Sequence, residues 1–179
     1  MVRRFLTDPV DAVVVERIAA AAHRAPSAGF AQAVSIVVVT DAETRAAIAA
    51  IAGEGCWVER GHHPWLSPAP VHLVLCVEPD AYRRRYSRPD KDPETLRVPW
   101  WWVDAGAALM LVLQAAVDEG LAAGFLGGHA LPGIHSLLGI PGSIEVVGVI
   151  TVGHPAPGPG LERRRRLAAE MTHHERWGA

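Results

Sequence analysis

The sequence predicts a mixed helix-and-strand fold, and three observations carry that prediction. Val14, Ile18, Ala21 and Ala22 recur at helical spacing inside a helix expected over residues 12–24. Short apolar runs at 36–40, 71–77 and 145–152 read as strands, and the middle run is apolar enough for burial on both faces. Residues 103–119 form a helix apolar on nearly every side, so it packs centrally or at a subunit interface.

Each element has its own local signal. Asp8-Pro9 opens the first helix, and Pro26 ends it by biasing Ala25 out of the helical region. Ser27, Ala28 and Gly29 then keep the connecting loop thin, and Gly29 tolerates a positive φ. A flat cofactor could lie against such a backbone. Asp41 reads as the N-cap of a helix ending near Gly53. Residues 55–70, punctuated by Gly, His and Pro, are expected to be loop. The polar stretch 78–99 is the candidate for a mobile flap, because long structureless loops are usually functional or disordered. Gly120 stops the long helix. A short strand follows at 123–126, closed by Gly127-Gly128, and then a helix near 134–138. Three prolines and three glycines make 153–160 an extended arm. No repeat or domain boundary is visible, so residues 1–179 are expected to be one domain.

Composition narrows the function classes. Half of the 179 residues are hydrophobic and six are Trp, which points to surface buried against a partner. The net charge of −2 argues against a nucleic-acid partner. Positive charge is nevertheless clustered in Arg3-Arg4, Arg83-Arg84-Arg85 and Arg163-Arg164-Arg165-Arg166, and guanidinium forks bind phosphate bidentately. The Arg83–Arg85 run reads as a solvated face that could attract the phosphates of a dinucleotide donor. Cys56 and Cys76 are isolated thiols, which fits a reducing, cytoplasmic setting. The most apolar stretch, 100–117, contains Asp104 and Gln114, so no membrane span is expected. Adjacent His62-His63 and His173-His174 project apart, and no metal site is expected.

These pieces together resemble the nitroreductase-like flavoprotein family, in its small actinobacterial members. The matching residues are Arg3-x-Phe5 ahead of Pro9-Val10, the Ala25-Pro26-Ser27-Ala28-Gly29 loop with Gln32, and Leu138-Gly139-Ile140-Pro141. Gly153-His154-Pro155 and the arginine cluster followed by His173 and Trp177 complete the pattern. The resemblance implies an α+β fold: three layers, with a mostly antiparallel central sheet flanked by helices. It also implies a C-terminal arm exchanged across a homodimer, FMN at the dimer interface, and NAD(P)H as electron donor.

Site residues carry over position by position. Arg3 matches the basic residue at the flavin pyrimidine edge, where a cation stabilises the anion formed on reduction. Pro26, Ser27, Ala28, Gly29, Phe30 and Gln32 match the loop covering the flavin from the partner subunit. Leu126, Gly127 and Gly128 match the turn whose backbone N–H meets the reactive ring nitrogen. Arg163, Arg165 and Arg166 match the phosphate cluster. Family members carry an Arg and a Ser just ahead of the Arg3 position, and this chain begins after them. Either the start is truncated, or Arg4 and the C-terminal arginines take more of the phosphate. Phe30 replaces the family's Asn and can cover the ring or wall the pocket. Trp65, Tyr86, Trp101 and Phe125 are candidates for an apolar substrate slot.

The implied activity is ping-pong hydride transfer from an NAD(P)H-type donor to nitroaromatic, quinone-like or enone-like acceptors. The alternatives are a biosynthetic flavin-dependent dehydrogenase or oxygenase of the same fold, or a flavin-binding module without turnover.

Overall fold

The computed structural model describes residues 1–158 and 164–178. Helix α1 (Ala12–Ala20) starts where the Asp11 carboxylate accepts the Val13 N–H at 2.7 Å, and it tightens into a 3-10 turn over Ala21–Arg24. Strand β1 is Val34–Val39, two residues earlier at its start than expected. Asp41 caps α2 (Ala42–Ile51) through the Thr44 N–H, as its sequence position predicts. Strand β2 is Val71–Val77, and every residue in it is buried. Helix α5 is Trp100–Asp118, followed by β3 (Ala122–Gly127), α6 (Ile134–Leu138) and β4 (Glu145–Gly153).

Two segments expected to be loop are helical. Residues 54–59 form α3 (Glu54–Glu59), and the expected flap contains α4 (Pro79–Tyr86) and a 3-10 turn at Pro93–Arg97. Polarity hid α4: Arg83 and Arg84 face solvent, but Tyr82 and Tyr86 are buried. Pro79 sits at its first turn, where a missing N–H costs nothing. The segment is therefore a brace rather than a flap.

The sheet is antiparallel throughout, in the order β1-β2-β4-β3. Alternation along β2 separates two cores. Val71, Leu73 and Leu75 pack with Val15 and Ile18 of α1 and with Ala108, Val112 and Ala116 of α5. Val74 and Cys76 pack with Ile48 of α2 and Ile134 of α6. The result is three layers, helices on both faces of one sheet: the expected α+β arrangement.

Helix α5 differs from expectation in one respect. Its buried stripe is Asp104, Ala105, Ala108, Val112 and Ala116, whereas Trp102, Val103, Met110 and Val117 are exposed on the other side. It is long and apolar enough to cross a bilayer by length and composition, yet its buried stripe packs on the sheet. The arm also differs: Gly153 ends β4, and Pro155 bridges to Phe5.

Candidate active site

The N-terminal arginines are positioned by backbone pairing along β3 and beyond the end of β4. The Val2 N–H donates to the Ala123 carbonyl at 2.9 Å, the Leu6 N–H to His154 at 2.9 Å, and the Ala156 N–H to Arg4 at 3.1 Å. Phe5 is buried with Ala69 and Ala122, which fixes the register of this segment. Arg3 is left exposed, its guanidinium 5.2 Å from the centre of the Trp65 ring. Arg4 is half-buried and packs against Gly158.

Trp65 is held in place from below. The buried Glu54 carboxylate accepts N–H groups from Trp65 and Leu66, both at 2.6 Å, and from Ser67 at 3.0 Å. Burial alone would raise the Glu54 pKa, but hydrogen bonds from Ser67, Trp65 and Leu66 hold it below the ordinary range. The buried His72 ring bonds the Leu66 carbonyl through Nε2 at 2.9 Å. Its Nδ1 and the hydroxyl of Thr151, directly opposite on β4, have no hydrogen-bond partner among the described residues. Burial pushes the His72 pKa down to about 4.

The Gly127-Gly128 turn ends β3, with Gly127 paired to Gly148. A Cβ at Gly128 would overlap the carbonyl oxygen of Val146, and one at Gly127 would lie 2.8 Å from Nδ1 of His129. Close backbone packing therefore requires glycine at position 128, whatever else the turn contacts. Leu126 is half-buried against the α2–α6 core.

The Pro26–Gln32 loop precedes β1 on the opposite edge. Gly29, Phe30 and Gln32 have φ of 62°, 58° and 50°. Ser27 Oγ accepts the Gln32 N–H at 3.0 Å. The Ala28 N–H and the Tyr82 hydroxyl both donate to Asp104 Oδ2 at 2.7 Å, and Arg85 Nε donates to the Gly29 carbonyl at 2.7 Å. Phe30 is 75% exposed. An open cleft of about 430 Å³ lies here, lined by Gly29, Phe30, Ala31, Ala81 and the arginines Arg84, Arg85 and Arg88.

The strand register relates these parts. Val34 pairs with Val77, Val77 with Glu145, and Gly127 with Gly148, so the loop and the glycine turn share one end of the sheet. They lie on its two edge strands, three inter-strand steps or roughly 14 Å apart. Arg3 stands at the other end of β3, roughly 17 Å from the glycine turn at strand rise. Farther along, Arg164, Arg165 and Arg166 are exposed and line a small cleft with Leu167 and Glu170. Arg166 lies 3.4 Å from Glu170, and Arg163 lies outside the described residues.

The four aromatic candidates are not gathered into one place in a single chain. Trp65 lies under Arg3, and Tyr86 lies under Gly29, where a Cβ would be 3.1 Å from its ring. Trp101 packs near Tyr82 beneath Arg83, and Phe125 packs on the α1–α5 core. Sequence reasoning missed Glu54 and Tyr82, and it read Arg85 only as part of a solvated run, whereas Arg85 is half-buried and bonded to Gly29 and Asp90. It noted Asp104 only as an interruption of an apolar helix, which was the available signal. Among the described residues, no cluster of three His, Cys, Asp or Glu side chains could hold a metal.

Residues 1–154 match the model of the nitroreductase family. The NADPH-flavin oxidoreductase of Vibrio harveyi is 31% identical over 177 residues, covering 97% of this chain and 69% of that protein. An FMN reductase [NAD(P)H] of Bacillus subtilis is 27% identical over 185 residues, with the same coverage of 97% and 69%. Among solved structures, NADPH:FMN oxidoreductase from Vibrio harveyi complexed with NAD+ superposes with a TM-score of 0.73 at 28% identity, covering 99% of this chain and 74% of that one. Nitroreductase A from Vibrio parahaemolyticus gives a TM-score of 0.73 at 30% identity, covering 99% and 73%. The basic segment along one edge strand, the glycine turn at its end and the small-residue loop on the opposite edge thus stand in a chain that belongs to the nitroreductase family.

Proposed function

We propose that this protein is an FMN-dependent oxidoreductase. It takes reducing equivalents from NADPH or NADH and delivers them to a small nitroaromatic, quinone-like or enone-like acceptor. The observation that carries the reading is the arrangement along β3, with Arg3 exposed at its start and the Gly127-Gly128 turn at its end.

The donor chemistry fits FMN. Arg3 rests on an aromatic ring and forms no ion pair with a carboxylate among the described residues, so its charge is available to an anionic ring edge. Arg4, Arg165 and Arg166, with Arg163, would hold the phosphate through guanidinium forks. The backbone of Leu126, Gly127 and Gly128 would meet the reactive edge. Bound flavin supplies the two-electron chemistry; the chain supplies position, charge stabilisation and exclusion of water.

The working unit we propose is a homodimer. In one chain the Pro26–Gln32 loop and the glycine turn lie on opposite sheet edges, which supports the reading that the loop would cover a second subunit's flavin. Exposed Trp102, Val103, Met110 and Val117 form an apolar stripe of the kind that marks an interface. The C-terminal arginines would reach their site by exchange of the arm.

The test is a visible spectrum of the purified protein, followed by anaerobic addition of NADPH or NADH. Oxidised-flavin bands that bleach with donor and return with a quinone are expected. A colourless protein that takes up no FMN on dialysis refutes the proposal. Bound flavin that neither donor bleaches would mark a binding module without turnover.

A further inference from the structure

We propose that Asp104, Tyr82 and Arg85 form a lock that holds the Pro26–Gln32 loop in its ligand-contacting shape, making all three positioning residues for the cofactor site. This rests on the reading of that loop as a flavin-covering segment.

The loop is costly to hold in this shape. Besides Gly29, it places Phe30 and Gln32 at positive φ, where a side chain crowds its own backbone. Its internal bonds are few: Phe30 N–H to the Ser27 carbonyl at 2.8 Å, Ala31 N–H to Ala28 at 3.2 Å, and Gln32 N–H to Ser27 Oγ at 3.0 Å. Backbone strain of this sort persists only where the surroundings over-determine it.

Two helices do so here. From α5, the Asp104 carboxylate takes the Ala28 N–H, and one residue later Arg85 of α4 takes the Gly29 carbonyl. The two contacts straddle the residue where the chain first turns to positive φ. Each anchor is itself anchored. Asp104 is buried, and the fully buried Tyr82 hydroxyl donates to the same oxygen that receives Ala28. A buried carboxylate needs such partners, so Asp104 cannot drift without leaving donors unsatisfied. Arg85 is held by a two-pronged pairing with Asp90 at 3.0 and 2.8 Å, and the Tyr86 ring packs beneath Gly29. The conformation so maintained turns Phe30 outward, where this chain offers it little to pack against. What benefits is therefore whatever binds against the loop.

The test uses the full-length protein with Arg85→Met, which keeps the stem but drops the guanidinium, and Tyr82→Phe, which drops only the hydroxyl. Arg85 is half-buried but belongs to neither core, so loss of its head group leaves both intact. Hydrogen–deuterium exchange without added FMN should quicken about tenfold or more in the peptide spanning residues 26–32, with β2 unchanged. FMN affinity, read by quenching of flavin fluorescence, should weaken about tenfold in Arg85→Met. Arg85→Lys should recover part of the loss, because an ammonium can reach the same carbonyl. Unchanged loop exchange in both variants would overturn the lock. Faster exchange with unchanged FMN affinity would overturn the positioning role. A parent protein that binds no FMN at all would refute the functional reading and the positioning role with it, leaving the exchange result to decide the lock alone.

Discussion

Protonation of His72 should cost this fold stability at mildly acidic pH, and the structure sets the size of the effect. The ring is fully buried beneath the turn that carries Trp65, the residue on which Arg3 rests. In the neutral tautomer that donates Nε2–H to the Leu66 carbonyl, Nδ1 is a bare acceptor without a partner among the described residues. Adding a proton there would create a buried cation whose new donor also lacks a partner. Burial lowers the pKa from 6.5 to about 4. The unfolded state therefore binds the extra proton first as pH falls, so folding stability is full above about 6.5 and declines toward 4. At one pKa unit per 1.36 kcal/mol, the total is about 3 kcal/mol, of which about 2 kcal/mol is lost between pH 7.5 and 5. Urea unfolding of the parent and of His72→Gln across this range measures it. The Gln amide can still donate to Leu66 but does not titrate, so the variant's stability should fall less by about that amount. Identical pH dependence in the two proteins would refute the argument.

Three further outcomes are expected. Arg3→Ala should lower the flavin midpoint potential by tens of millivolts, equivalent to a charge-assisted bond of about 1–3 kcal/mol; an unchanged potential with flavin still bound removes Arg3 from that role. Gly128→Val should fail as a fold rather than only as an enzyme, because its Cβ would overlap the Val146 carbonyl oxygen; a parent-like melting temperature would show that the strand ends can separate. Sedimentation over a dilution series should show a dimer strengthened by FMN, and Met110→Asp on the exposed stripe of α5 should weaken it; a stable monomer retaining one flavin per chain would sink the shared-site architecture.

The strands and the main helices were legible in the sequence because each carries a local signal. A run of apolar residues interrupted only by His72 made β2, Asp41 marked the start of α2, and Pro26 marked the end of the first helix. The family pattern, with Arg3, the Pro26–Gln32 loop and the glycine turn, was legible as well, since these residues are read in order along the chain. What the sequence could not show was anything set by partners distant in sequence. Residues 78–99 looked like a flap because solvent-facing arginines dominate their composition, yet two buried tyrosines make the segment a brace. Glu54 drew no notice in the sequence, because the N–H groups of residues 65–67 that make it a structural acid meet it only in the fold. Asp104 looked like a flaw in an apolar helix, and only packing revealed the Ala28 N–H and the Tyr82 hydroxyl waiting for it. Composition and periodicity report how a residue meets water and its near neighbours. The partner a buried charge finds, tens of residues away, exists only once the helices have closed on the sheet.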